Sequence, residues 1–326
     1  MRNWGSRFLK VGTVFLVALL LLELSYRFYI IEFYSTELQA LNESLPPSKK
    51  DLANILFLGD SFTAHTESYV TKLRVDVPFK LINSAISGTG ILEASFMTHT
   101  RLIEFEPTSV VYQIYLGNDL LDIRHRPTDR MSSIRRIYHI VSDRIRVIKF
   151  LNYRLGQTVV NDDHDNRSLP SGSENEVFSM DSYSPRQKRL FKEEPLILEN
   201  VLELKNGREE DFAILVSRLH KIEKQLNDSC QLIIVLIPHC AQVNDTYNSR
   251  MKLLGSNSKE LSSNKFYSGF EKEFADHTLI NALPAFQRLD KPTDRIYREN
   301  DPHLSDFGQT VLANLLMPHL TNELKE

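Results

Sequence analysis

The sequence predicts an α/β protein built on a parallel sheet, and three observations carry that expectation. Five short β-rich runs recur along the chain: Asn54–Leu58, Phe79–Asn83, Ser109–Tyr115, Gln231–Ile237 and Thr278–Leu283. Unbroken apolar runs of this kind are strands buried on both faces, which is the habit of parallel sheets. The stretches between them are long enough for helical crossovers, and Leu219, Ile222 and Leu226 recur at helical spacing just ahead of the fourth run. The chain closes on a further helical stretch, expected to start at Ser305 or Asp306, either of which can cap it, and to run to about Leu320.

Ahead of the first strand, Val11 to Leu22 carry no charge and follow a basic start at Arg2, Arg7 and Lys10. Twelve helical residues span ~18 Å, short of the ~30 Å hydrocarbon core of a bilayer. Counting on to Ile31 gives roughly twenty residues and the full thickness. Glu23 and Arg27 in that extension stand four apart and partly neutralise each other, and Tyr26, Phe28 and Tyr29 suit an interfacial aromatic belt. Residues 11–31 are therefore read as a single-pass signal anchor and residues 1–10 as its cytoplasmic start. The positive-inside rule then sends the rest across the membrane. A cleaved signal peptide is the rival reading, although no small-x-small site follows Leu22. Residues 32–52 read as a polar linker and 53–326 as one domain, with an insertion over about 125–205.

Composition narrows the rest. A net charge of −3 gives no sign of a nucleic-acid partner. Cys230 and Cys240 flank one apolar run, and ten extended steps place them roughly 30 Å apart, too far for a disulfide. The histidines show no ligand spacing, and neither a P-loop nor a dinucleotide fingerprint occurs, so no metal and no cofactor are expected. Within the insertion, 157–185 is polar and reads as a surface excursion. Arg124 to Arg154 hold nine Lys or Arg against Asp129 and Asp143, with Ile134, Ile137, Tyr138, Val141, Ile145 and Ile148 at helical spacing. That run is either a basic amphipathic helix on an anionic membrane or over the site as a lid, or a helix packed on the domain with a solvated basic face.

Candidate chemistry clusters at strand ends, where open α/β sheets bind their ligands. The first strand runs into Gly59-Asp60-Ser61-Phe62-Thr63 ahead of an expected helix, whose N-terminal N–H groups would favour a developing anion. The second strand ends in Ile86-Ser87-Gly88-Thr89-Gly90, where Gly88 either frees an N–H for the site or only serves a turn. The third ends in Leu116-Gly117-Asn118-Asp119, where Asn118 is either an amide donor or a turn residue. Near the C-terminus stands Asp301-Pro302-His303-Leu304-Ser305-Asp306-Phe307-Gly308. A serine nucleophile needs a base, and the base needs a carboxylate to fix its tautomer, roles that suit His303 and Asp301. His65 and His239 either line the pocket or pack locally.

Taken in order, GDSFT, ISGTG, LGND and DPHLSDFG resemble blocks I, II, III and V of the SGNH (GDSL) hydrolase superfamily, over roughly residues 54–124 and 228–318. The resemblance implies a flavodoxin-like three-layer α/β/α fold with Ser61 as nucleophile, His303 as general base and Asp301 as third triad member. It likewise implies an oxyanion hole of Ser61, Gly88 and Asn118. Two features depart from the common pattern: the last pair is Asp-x-His where many members have Asp-x-x-His, and 185 residues separate Asn118 from His303. The anchor and the strand ending LIPHCAQV look like the anchored bacterial branch, a resemblance that implies the cytoplasmic (inner) membrane with the domain in the periplasm. The expected activity is that of an extracytoplasmic serine esterase acting on an acylated glycan, O-acetyl esters included, or on a lipid ester. An acyltransferase using the same site and a non-catalytic envelope binding protein are the alternatives.

Overall fold

A computed structural model describes residues 2–43, 52–124, 130–142, 144–162 and 177–321. The proline-containing part of the expected linker, 44–51, and the centre of the polar excursion, 163–176, lie outside the described residues. The chain forms two compact units, Met1–Ser35 with Ser132–Ser168 and Thr36–Met131 with Leu169–Glu326.

The larger unit is built on five parallel strands: β1 (Asn54–Leu58), β2 (Lys80–Asn83), β3 (Ser109–Tyr115), β4 (Gln231–Ile237) and β5 (Thr278–Asn281). Their spatial order is β2-β1-β3-β4-β5. This is the doubly wound, flavodoxin-like order, in which winding reverses between β1 and β3 and opens a crevice at their carboxyl ends. All seven residues of β3 are buried, as expected of a central strand covered on both faces. Helix Asp306–Thr321 packs against Tyr69–Asp76, and Arg208–Glu223 against Ile91–Phe105, which supplies the helical layers. Phe57, Tyr69, Tyr112, Phe266 and Phe270 fill the core completely buried.

Three local expectations are corrected. Residues 61–68 form turns, and the helix expected right after Ser61 begins only at Tyr69. Thr63 and Ala64 both return their N–H to Asp60 O (3.1 and 2.9 Å), which closes a single turn. The residues read as a linker include a helix, Ser35–Asn42, with Leu38 and Leu41 buried. Its last residue finishes the sheet edge: Asn42 Oδ1 accepts from Asn83 N (2.9 Å) and its amide donates to Asn83 O (2.9 Å). Part of the insertion is core, since Phe191, Ile197, Leu198, Val201 and Leu202 are buried.

The smaller unit consists of helices Arg2–Arg27, Ser133–Ser142 and Arg146–Asp162. Leu9–Arg27 is long and apolar enough to cross a membrane. Its helix stops at Arg27, short of the expected Ile31, and Tyr29 adopts a left-handed φ of 58° in the turn that follows. The Glu23–Arg27 pair forms as expected, at 2.7 Å. Glu23 also accepts from Val147 N (3.0 Å), and Arg27 donates to Arg144 O (3.0 Å). Tyr26 stacks on Phe33, and Phe33 on Phe150, with centroids 4.2 and 4.4 Å apart. The basic run is therefore two helices folded against the end of the first.

In the larger unit, Gly308 brings helix Asp306–Thr321 onto the backbone carbonyl of Ile296, leaving no room for a Cβ. Gly308→Ala is expected to lower stability by about 1–3 kcal/mol through overpacking. An unchanged denaturation midpoint would show that the helix docks differently.

Candidate active site

β1 delivers the chain to Gly59-Asp60-Ser61 at the crevice. A Cβ on Gly59 would stand 2.6 Å from Gln113 Oε1, so the backbone passes closer to the central strand than any other residue permits. Gln113 is fully buried in β3, and its Oε1 accepts from Asp60 N (3.2 Å) and Thr63 Oγ1 (3.1 Å). Asp60 Oδ1 accepts from Phe62 N (3.0 Å). Asn83, ending β2, donates to Thr63 O (2.7 Å). The residues on either side of Ser61 are thus tied to two neighbouring strands.

From the other end of the chain come His303 and Asp301. Their loop is held by Arg298 N donating to His303 O (3.0 Å) and by Ser305 N donating to Ile296 O (2.8 Å). Gln309 then joins this region to the nucleophile turn: it accepts from Tyr69 N (2.9 Å) and donates to Phe62 O (3.3 Å) and His65 Nε2 (2.9 Å). The outcome is a continuous hydrogen-bonded chain. Ser61 Oγ and His303 Nε2 are 2.7 Å apart, and His303 Nδ1 donates to Asp301 Oδ1, which also accepts from His303 N (2.8 Å). That arrangement leaves Nε2 as the acceptor for the serine proton. The His303 and Asp301 side chains are 27% and 34% exposed, so a substrate can reach them. Burial pushes the Asp301 carboxyl up, but the His303 charge, the two hydrogen bonds and Arg298 outweigh it and hold it below its usual 3.8.

The residues expected to bind an anion follow three neighbouring parallel strands and so lie beyond the same sheet edge. Gly88 has φ 72°, a left-handed conformation suited to glycine, and Ile86 N donates to Gly59 O (3.2 Å), drawing that loop against the nucleophile turn. The N–H groups of Ser61 and Gly88 meet no acceptor among the described residues. Asn118 is differently placed from the simple expectation. Its amide donates to Asp60 Oδ2 (3.1 Å) and Asp122 Oδ2 (3.0 Å), so both protons are engaged. Burial raises the carboxyl of Asp60 and raises that of Asp119 further.

The other two histidines pack locally. Burial first, then the charges of Arg298, His303 and Lys72, lower His65 to about 4, and it receives the Gln309 amide as a neutral ring. Burial lowers His239 to about 3; its Nδ1 accepts from Ala241 N (3.2 Å) and caps the turn Cys240–Gln242. Cys240 is buried beside it, and no disulfide joins it to Cys230. Sequence reasoning passed over Gln113, Gln309, Asn83 and the buried Asp60. For Gln113 a signal existed, since it is the one amide inside the apolar run SVVYQIY.

No family model matches the sequence, and no curated protein matches it. Among solved structures, an acetyl xylan esterase is 12% identical with a TM-score of 0.43, covering 82% of this chain and 99% of that one. A GDSL-like lipase from Bacteroides thetaiotaomicron is 11% identical with a TM-score of 0.42, covering 90% of this chain and 100% of that one. A catalytic mutant of an acetylxylan esterase from Geobacillus stearothermophilus is 14% identical with a TM-score of 0.41, covering 82% and 94%.

The two lowered histidines fix a sign for acid stability. Unfolded histidine binds its proton near 6.5, while folded His65 and His239 wait until about 4 and about 3. The unfolded state therefore takes up more protons in that window, and stability falls as pH drops from 6.5, by at most about 1.4 kcal/mol per pH unit per histidine. His239→Asn keeps an acceptor for Ala241 N and is expected to flatten that decline in urea titrations. Parallel declines for both proteins would contradict it.

Proposed function

We propose that this chain is a membrane-anchored serine esterase whose Ser61, His303 and Asp301 cleave carboxylic esters outside the cytoplasm. The observation that carries the proposal is the hydrogen-bonded chain from Ser61 Oγ through His303 to Asp301, at a half-exposed sheet edge. In this reading Ser61 Oγ attacks the ester carbonyl while its proton passes to His303 Nε2. Asp301 holds the Nδ1–H tautomer and stabilises the imidazolium. The tetrahedral oxyanion is received by the N–H groups of Ser61 and Gly88, and by Asn118 once it exchanges one carboxylate partner for the oxyanion. His303 then protonates the departing alcohol, and water, deprotonated by the same ring, releases the acyl group. The apolar helix Leu9–Arg27 is the basis for the anchor. A location on the far side of the bilayer makes acylated envelope glycans, O-acetyl esters among them, and lipid esters the substrates within reach.

The test is turnover of nitrophenyl esters from acetate to palmitate by the full chain in detergent. Ser61→Ala and His303→Ala are expected to lower turnover by ~10³ or more. Asn118→Ala is expected to cost ~10²–10³. Turnover that survives Ser61→Ala would overturn the mechanism, and product formed only when a glycan acceptor is added would assign acyl transfer in place of hydrolysis.

A further inference from the structure

Helix Ser133–Ser142 is turned inside out. Its isoleucines face solvent, with Ile134 81%, Ile137 63% and Ile140 50% exposed. The polar residues His139 and Ser142 face inward at 7% and 3%. A helix on a water-facing surface does the opposite, placing its apolar stripe on the core. At ~100° per residue the three isoleucines share one arc, with Arg136 beside one edge of it and Tyr138 beside the other. The next helix, Arg146–Asp162, repeats the pattern with exposed Leu151 and Leu155 one turn apart. Residues 133–155 carry six Lys or Arg against a single Asp. A contiguous apolar face rimmed by cations is suited to the boundary between acyl chains and anionic headgroups.

These helices belong to the same compact unit as the candidate span, and the place where they join it is informative. Val11 to Leu22 cover only ~18 Å of a ~30 Å core. The remaining ~12 Å falls on the last helical residues, Glu23 to Arg27, and the turn beyond them. That is the level at which Val147 bonds Glu23, Arg144 accepts from Arg27, and Phe150 stacks on Phe33 above Tyr26. Glu23, the one carboxylate of this level on the helix, is satisfied by Arg27 at 2.7 Å and by the Val147 N–H. Its charge therefore does not forbid shallow immersion. Phe28 and Ile30, in the turn beyond the helix, are also exposed.

We propose that helices Ser133–Ser142 and Arg146–Asp162 form a collar seated in an anionic phospholipid surface around the outer end of the span. Ile134, Ile137 and Ile140 dip into the acyl boundary, and the basic residues of the two helices lie at the level of the headgroup phosphates. This inference rests on reading Leu9–Arg27 as a membrane anchor, and its test separates the two.

The probe is a single tryptophan, placed by Ile137→Trp or, as a control within the span, by Leu16→Trp, each in a Trp4→Phe background of the full chain. Each protein is reconstituted into vesicles of equal parts phosphatidylcholine and phosphatidylglycerol. Fluorescence is measured with lipids brominated near the headgroup or near the bilayer centre, and with aqueous iodide. The indole at position 137 is expected to lose at least half its emission to headgroup-end bromines, to be protected from iodide, and to respond less in phosphatidylcholine alone. Quenching by iodide at position 137, with bromine quenching retained at position 16, would overturn the collar and leave the anchor standing. Protection from iodide without bromine quenching at 137 would also overturn it, because something other than lipid would cover the face. Loss of bromine quenching at both positions would overturn the anchor and the collar together.

Discussion

Ser61 and His303 are 242 residues apart in sequence, and the 2.7 Å hydrogen bond between them depends on two buried glutamines. Gln113 reaches from the central strand to Asp60 N and Thr63 Oγ1, fixing the turn from below. Gln309 reaches from the last helix to Tyr69 N, Phe62 O and His65, fixing the same turn to the element that follows the His303 loop. Each glutamine replaces a main-chain contact that neither strand nor helix can supply in a turn of irregular geometry. The carbonyl oxygen of each is satisfied, twice in Gln113 and by Tyr69 N in Gln309, while the buried Gln113 amide nitrogen meets no partner among the described residues. Close approach is the second half of the constraint. Gly59 passes Gln113, and Gly308 passes the Ile296 carbonyl, at separations that exclude a Cβ.

Behind the nucleophile lies an unusual electrostatic arrangement. Asp60, Asp119 and Asp122 converge on the Asn118 side chain and the end of β3. Three full negative charges so close together would repel one another. Burial acts against this by pushing Asp60 and Asp119 toward their neutral forms, and Arg186 stands 3.3 Å from Asp122. Asn118 is then held ready by carboxylates at the sheet edge, with its amide oriented before any substrate arrives.

Much of the architecture was legible in the sequence because parallel strands buried on both faces leave unbroken apolar runs. β1, β3 and β4 begin and end at the residues expected, and β5 falls short only at its edge. The meeting of Ser61, His303 and Asp301 was legible for another reason: few residue types suit a serine paired with a base and a carboxylate, which narrows the candidates. What escaped depended on tertiary geometry. Gln113 and Gln309 read as ordinary polar residues, since nothing local reveals which distant N–H they satisfy. Ser35–Asn42 read as linker because its two apolar residues, Leu38 and Leu41, are too few for a periodic signal, although Asn42 goes on to complete the sheet edge. The partners of Asn118 were equally hidden, for they lie on β1's turn and one helical turn ahead. In the basic run the helical period was read correctly, but the periodic pattern continues across the junction that separates the two helices.

The central claim is that Ser61 is activated by His303. It is tested most directly by treating the native full chain with a fluorophosphonate, which phosphonylates a serine only when a neighbouring base accepts its proton. Mass spectrometry is expected to find one adduct, on Ser61, that disappears in His303→Ala and after unfolding. A native chain left unmodified, or modified at another residue with Ser61 untouched, would contradict the account.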